Sequence, residues 1–136
     1  MTLGLETARA IAAAARAAAA EDGRSITVAV VDERGHDVLV ERMDATSWFT
    51  AGVARAKAAT AVAMGRPTAD LAGLRTAYPE LVPLIADQLA HPFTTLPGGV
   101  PLVVDGAVVG AVAVSGGTPE QDAAYASAGA ESVARH

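Results

Sequence analysis

The chain has 136 residues, of which 51% are hydrophobic, so it is long enough for one domain, residues 1–136, with its own buried core. It lacks cysteine, which excludes disulfides, thiolate metal sites and cysteine nucleophiles. The net charge of −5 and the scattered basic residues argue against a nucleic-acid partner, and no run approaches the ~20 apolar residues of a membrane span.

The first half of the chain predicts a helix, a hairpin and a second long helix. Apolar residues recur with helical spacing from Leu5 to Ala20. Ser25 to Val31 is a continuous apolar strand that needs cover on both faces, and the alternating segment His36 to Arg42 follows it across a turn. A helical pattern then begins at Thr46 or Ser47 and runs to Met64. The N-terminal segment carries charges that a secretory signal lacks, so we expect a cytoplasmic protein.

The second half predicts two short helices and another hairpin. The short helices are expected over Thr68–Leu74 and Pro79–Leu89. The strands Pro101–Val104 and Ala107–Val114 are joined by Asp105-Gly106, the residue pair that a type I′ turn favours because both positions need a positive φ.

The last helix begins at a clear sequence signal. Thr118 is the expected N-cap, Pro119 occupies the first helical position, Gln121 completes a capping box, and the pattern runs to Arg135. The complete order of elements predicts an α/β (α+β) fold, a four- or five-stranded, mainly antiparallel sheet flanked by helices.

A series of short motifs extends over nearly the whole chain. The longest is GGVPLVVDGAVVGAVAVSGGTPEQD, from Gly98 to Asp122. The others are Val30-Val31-Asp32, Gly35-His36, Arg42-Met43-Asp44, Lys57-Ala58-Ala59-Thr60-Ala61 and Gly65-Arg66-Pro67-Thr68. In this order they resemble the GlcG/HbpS-like family, a haem-degrading or haem-binding domain that also forms the C-terminal domain of some corrinoid adenosyltransferases. The resemblance implies a compact α/β layer fold, assembly into homo-oligomers, and haem or a corrinoid as the ligand.

Lys57 is the first candidate functional residue. It shares a helical face with Val53 and Thr60, so its stem is expected to lie against apolar surface while its ammonium reaches a cleft. There it would bind an anionic ligand or, if desolvated, act as an acid or base. The alternative is a snorkelling side chain on an exposed helix face.

His91 is the candidate haem ligand, since it lies just upstream of the GGVP loop. Its alternative role is that of a helix-terminal histidine that contacts backbone carbonyls. Some haem-binding members of the family use a histidine of the N-terminal helix, and this chain has none before Gly35. Because of that difference, the axial ligand of the haem iron would be His91, Met43 or Met64, or the iron would have no axial ligand from the protein.

Arg42 and Asp44 flank Met43 at the end of the second strand. They are interpreted either as a pair that orients a ligand carboxylate or as a salt bridge that holds the corner between strand and helix. The backbone N–H groups of Gly98 and Gly99 are expected to contact a ligand. Glu120 and Asp122 would repel an anion from the start of the last helix, so the preceding SGG loop is expected to shape a turn or a subunit contact.

Together these interpretations predict an oligomeric small-molecule-binding protein that holds haem or another tetrapyrrole between the helix of Lys57 and the GGVP loop. The expected contacts are Lys57, Arg42, Met43, His91, Gly98 and Gly99. The alternative is a cofactor-independent enzyme, an isomerase or lyase acting on a small organic acid or natural-product intermediate. In that case Lys57 would work with His91 or Asp44 as acid and base.

Overall fold

The computed structural model describes residues 3–134. In chain order, its elements are α1 (Leu5–Glu21), β1 (Thr27–Asp32), β2 (Asp37–Arg42), α2 (Thr50–Met64), a 3₁₀ turn (Thr68–Leu71), α3 (Leu74–Ala77), α4 (Leu81–Asp87), β3 (Gly99–Val104), β4 (Ala107–Ser115) and α5 (Pro119–Ala134). Within this described part of the chain, no helix is long and apolar enough to cross a membrane.

The four strands form one antiparallel sheet in the order β2-β1-β4-β3. Two hairpins lie side by side, and their inner strands pair with each other, so that Val30 of β1 lies between Leu39 of β2 and Val112 of β4. The two inner strands are buried on both faces over most of their length. The predicted α/β (α+β) fold with a four- or five-stranded, mainly antiparallel sheet is therefore confirmed, with four strands.

The predicted turn and helix start are both present. Asp105 and Gly106 have φ angles of 51° and 80°, as a type I′ turn requires. The hydroxyl of Thr118 accepts the N–H of Gln121 at 3.2 Å, and Oε1 of Gln121 accepts the N–H of Thr118 at 3.0 Å. This reciprocal pair is the predicted capping box, and it fixes where α5 leaves the loop after β4.

Several predicted boundaries shift by a few residues. Helix α2 begins at Thr50 rather than at Thr46 or Ser47, because Ala45 has a φ of 62° and the chain makes a turn before the helix. The segment predicted as one short helix over Thr68–Leu74 divides into the 3₁₀ turn and the start of α3. The expected end of the last helix, Arg135, lies outside the described residues.

The two faces of the sheet are packed differently. On the first, which we call the large-residue face, α1 and α5 cover buried side chains that include Ile11, Val28, Val112 and Tyr125. On the second, the alanine face, α2 covers a cluster in which Ala29, Ala54, Ala58, Ala61, Ala111 and Ala113 surround Val31. Small side chains let a helix approach a sheet closely, and this close approach positions the candidate site.

Candidate ligand-binding cleft

A buried ion pair joins the two sides of the sheet. Lys57 on α2 and Asp122 on α5 meet beyond the end of β4, with Nζ 3.0 Å from Oδ2. Their side chains are only 4% and 5% exposed. Among the predicted roles of Lys57, the snorkelling side chain on an exposed face is therefore wrong, and the burial of its stem is confirmed.

Both charged groups have further hydrogen-bond partners. Nζ of Lys57 also donates to the carbonyl oxygen of Val114 at 2.8 Å. Oδ1 of Asp122 accepts the N–H of Gly117 at 2.8 Å. Burial lowers the pKa of Lys57 below its ordinary value, because the charged form loses hydration, although the carboxylate of Asp122 partly opposes that shift. The arrangement holds an amine that is easier to deprotonate than a surface lysine.

Two glycines let the helix and the lysine lie this close to the sheet. A Cβ on Gly98 would lie 2.7 Å from the carbonyl oxygen of Val114 and 2.9 Å from Nζ of Lys57. A Cβ on Gly99 would clash with the carbonyl oxygen of Lys57. The N–H of Gly99 donates to the Thr68 hydroxyl at 2.9 Å. Both glycines are buried behind the lysine and do not line the cleft described next, so they position Lys57 instead of presenting N–H groups to it.

A cleft of about 440 Å³ opens in front of the ion pair, and we call it the Lys57 cleft. Lys57 and Asp122 line it together with residues 45–47, Phe49, Thr50, the SGG loop of residues 115–117, and Leu96-Pro97. Its size is within the range of small-molecule sites in proteins. The SGG loop, expected to shape a turn or a subunit contact, therefore forms part of the cleft wall.

Hydroxyl groups order one wall of the Lys57 cleft. The hydroxyl of Thr50 donates to the carbonyl oxygen of Ser47 at 2.7 Å and accepts a hydrogen bond at 2.8 Å from the hydroxyl of Thr27 in β1. Oγ1 of Thr46, on the same wall, is buried and has no hydrogen-bond partner within residues 3–134. Buried polar atoms are nearly always paired, so this oxygen is available to a bound molecule.

The structure places Arg42, Met43 and Asp44 outside the Lys57 cleft, in a neighbouring depression at the end of β2. In the described part of the chain no ion pair joins Arg42 to Asp44, and both residues are exposed, so the predicted corner salt bridge is absent. The thioether of Met43 accepts the N–H of Ile26 at 3.4 Å. Met43 therefore helps to close the end of the strand pair.

His91 also lies apart from the Lys57 cleft. It lines a depression beside the first hairpin turn with Glu33, Arg34 and Ala59. Its Nδ1 lies 3.1 Å from the carbonyl oxygen of Pro92, which matches the predicted alternative of a histidine that contacts backbone carbonyls. The expectation of one cleft in which Lys57 meets His91 or Asp44 is wrong, since the loop of residues 88–98 holds His91 and Leu96 at different places along α2.

Asp122 is the candidate site residue that the sequence interpretation missed. The sequence identifies it only as a negative charge at the start of α5, yet its carboxylate is the partner of Lys57. Two sequence features point to it: the chain contains a single lysine in an apolar helix, and a buried lysine requires a nearby carboxylate. Asp122 follows the SGG loop at the end of a buried strand, which brings it to that position.

The fold and the cleft define a small α+β protein with helices on both faces of its sheet and a ligand-sized site at one end. The family described as haem-degrading, HbpS-like proteins matches residues 3–131, and GlcG of Escherichia coli strain K12 is 38% identical over 115 residues, covering 83% of this chain and 81% of that protein. The chain belongs to the HbpS-like family.

Two solved structures have the same fold. A double mutant of HbpS from Streptomyces reticuli superposes with a TM-score of 0.86 at 36% identity, over 96% of this chain and 86% of the other. A complex of PduOC with haem superposes with a TM-score of 0.85 at 26% identity, over 97% of this chain and 95% of the other. Both likenesses extend over nearly the whole chain and include the elements that form the Lys57 cleft.

Proposed function

We propose that this protein binds a small molecule, haem or a related tetrapyrrole such as a corrinoid, in the Lys57 cleft. Membership of the HbpS-like family and the haem complex of PduOC support the class of ligand. The observation that carries the proposal is the cleft itself, which combines apolar side chains with hydroxyls and a buried lysine. Ligand sites in proteins are typically apolar pockets with a few placed polar groups.

The lining residues suit the porphyrin ring and the carboxylates of a haem better than they suit its iron. Phe49, Val53 and Leu96 offer apolar surface to a flat ring, and the hydroxyl of Thr46, unpaired in the described part of the chain, can donate to one of its carboxylates. Within residues 3–134, neither a histidine nor a methionine lines this cleft. The proposal is therefore for haem held without an imidazole or thioether ligand from this chain, and His91 is not its partner.

A titration of the purified protein with hemin, followed by visible absorption, tests the proposal. We expect a saturable change in the Soret band, unaltered in His91→Ala, and weaker binding in Phe49→Ser. Tyr78→Ser is the matched control, because Tyr78 is an exposed aromatic residue outside the cleft. A loss of binding in His91→Ala would move the site to the His91 depression, and no saturable complex with either hemin or cobalamin would reject a tetrapyrrole ligand.

We further propose that the protein works as a cytoplasmic homo-oligomer. Trp48, Phe49 and Leu96 are exposed apolar residues around one depression beside α2, and Trp48 is 80% exposed. Exposed apolar clusters of this kind commonly mark protein interfaces. Size-exclusion chromatography with light scattering should show an oligomer that Trp48→Ser weakens, whereas a wild-type monomer at all concentrations would contradict the proposal.

A second candidate function is acid–base catalysis on a small organic acid, and the Lys57–Asp122 pair is the observation that favours it. The partner of the lysine is then Asp122, in place of His91 or Asp44. Incubation in D₂O, followed by proton NMR, detects exchange of the C2 proton of a 2-hydroxy acid or of the C3 protons of a 2-oxo acid. We expect exchange that Lys57→Met abolishes and His91→Ala retains; exchange at the uncatalysed rate in the wild type would rule this candidate out for the acids tested.

A further inference from the structure

Lys57 is the only lysine in the chain, which has nine arginines. Lysine is almost never fully buried unless it is paired, yet this one is 4% exposed and lines the Lys57 cleft. Every other basic side chain of this protein, histidine aside, is a guanidinium. The chain therefore has a single side-chain primary amine, and the residue that carries it lines a ligand-sized cavity.

A simple ion pair does not explain why this position has an amine. Arginine forms the ion pairs on the surface, such as Arg16–Glu41 and Arg55–Asp37, and it binds carboxylates with a better-matched geometry. What lysine offers and arginine does not is the ability to lose its proton and become a nucleophile.

The hydrogen bonds of Lys57 place its ammonium beside a proton acceptor. Nζ donates to the carbonyl oxygen of Val114 at 2.8 Å and to the carboxylate of Asp122 at 3.0 Å. Burial lowers the pKa of Lys57, although the carboxylate of Asp122 partly opposes that shift. Transfer of one proton to Asp122 would give the nitrogen a lone pair, and the side chain that carries this nitrogen lines the cleft.

We propose that Lys57 forms a covalent imine with a small aldehyde or ketone bound in the Lys57 cleft, a chemical step beyond the reversible binding of a tetrapyrrole. The cleft of about 440 Å³ has room for such a molecule. The Thr46 hydroxyl, which has no partner among residues 3–134, belongs to the same lining and can bind a polar group of that molecule.

Asp122 is placed to move the protons that this step requires. Its carboxylate first takes a proton from the Lys57 ammonium, and the amine lone pair attacks the carbonyl carbon while the π pair moves to oxygen. A proton passes from nitrogen to that oxygen to give a carbinolamine. Protonation by Asp122 releases the hydroxyl as water, so one C–N double bond replaces the C–O double bond.

The charges balance over the whole step. An ammonium, a carboxylate and a carbonyl compound become an iminium, a carboxylate and one water molecule. Asp122 therefore faces a cation before and after the reaction, so the product does not leave its buried carboxylate without an opposite charge.

Reductive trapping tests the proposal without knowledge of the natural ligand. The folded protein is incubated at neutral pH with propanal and sodium cyanoborohydride, which reduces an iminium to a stable alkylamine, and the adduct is located by peptide mass spectrometry. Because the chain has only the Lys57 amine and its α-amine, the α-amine is an internal reference. We expect the adduct on Lys57 to form faster in the folded protein than in urea-unfolded protein, and to saturate with propanal concentration.

The opposite result is a Lys57 that is protected in the folded protein and reacts only after unfolding, which would show a buried structural ammonium and overturn the proposal. Lys57→Arg should lose the adduct at position 57 and keep the adduct at the α-amine. If that variant does not fold, the wild-type peptide map still decides the question. Trapping and hemin titration are independent, so either proposal can fail while the other stands.

Discussion

The two faces of the sheet differ in what holds them together. The large-residue face buries bulky side chains such as Ile11, Val28 and Val112, and its stability comes from the apolar area removed from water. The alanine face has little apolar bulk, and Thr27, Lys57 and several other buried polar groups lie on it or at its edge. The comparison indicates that most of the apolar bulk lies on one face of the sheet, whereas many of the buried polar groups, Lys57 among them, lie on the other face or at its edge.

Specific hydrogen bonds connect α2 to its surroundings on the alanine face. The hydroxyl of Thr50 pairs with that of Thr27 in β1, and the hydroxyl of Thr60 accepts the N–H of Thr94 at 3.2 Å. Such bonds have strict geometry, whereas apolar contacts tolerate small shifts. A face organised in this way fixes the position of Lys57 more sharply than an apolar face would, which a binding site requires.

The largest loss of stability should come from breaking the ion pair next to the alanine face. Lys57→Met leaves the carboxylate of Asp122 buried without its cation, and breaking a buried pair in this way costs about 3–5 kcal/mol. Urea unfolding monitored by circular dichroism measures the change in the free energy of unfolding. A loss below 1 kcal/mol would show that water reaches Asp122 freely.

The double variant Lys57→Met/Asp122→Asn is the control, since it removes both charges and should recover part of the loss. The pH dependence gives a second measurement. The pKa of Lys57 is lower in the folded than in the unfolded protein, so between that lowered value and 10.5 the unfolded state binds the extra proton. The free energy of unfolding should therefore rise with pH in that window for the wild type relative to Lys57→Met. An identical pH dependence would contradict the lowered pKa.

Deletion of bulk from the large-residue face should have the next largest effect. Ile11 of α1 is fully buried in the core of this face. Ile11→Ala leaves a cavity there and should lower the free energy of unfolding by about 2–5 kcal/mol. Leu5→Ala, on the same helix but 44% exposed, is the matched control and should cost much less. Equal losses in the two variants of α1 would mean that this face does not carry the stability assigned to it.

On the alanine face, a larger side chain should lower the free energy of unfolding. Ala113 of β4 is fully buried beneath α2, so Ala113→Val forces the helix away from the sheet and should cost about 1–3 kcal/mol. Ala107→Val, at the exposed start of the same strand, is the control and should be nearly neutral. If hemin binding is measured in parallel, Ala113→Val should weaken it, because the same displacement moves the lysine that lines the cleft. A stable variant with unchanged hemin binding would contradict the prediction, because it would show that α2 packs loosely enough against the sheet to accept a larger side chain.

The sequence predicts what depends on neighbours along the chain and misses what depends on distant contacts. Asp105-Gly106 and the Thr118 capping box are local signals, and both are confirmed. The burial of Lys57 could be inferred from its helical face, but its partner is 65 residues away and reaches it around the end of the sheet. Hydrophobic periodicity gives no information about a contact between residues so far apart in the chain. For the same reason, the prediction from the sequence that His91 or Asp44 would lie beside the lysine is wrong.

The smallest predicted effect is a gain, and it concerns a glycine of α2 that does not face the sheet. A Cβ on Gly52 would meet nothing within 4 Å, and Gly52 has helical neighbours on both sides, so Gly52→Ala should add roughly 0.5–1 kcal/mol to the free energy of unfolding. Gly99→Ala is the contrasting variant, because its methyl would lie against the carbonyl oxygen of Lys57 and should destabilise the protein. Thermal unfolding of both variants separates a glycine that permits close packing from one that does not. If Gly52→Ala is instead destabilising, another copy of the chain packs against this turn of α2, next to exposed Trp48, and the same variant should then shift the oligomer towards the monomer.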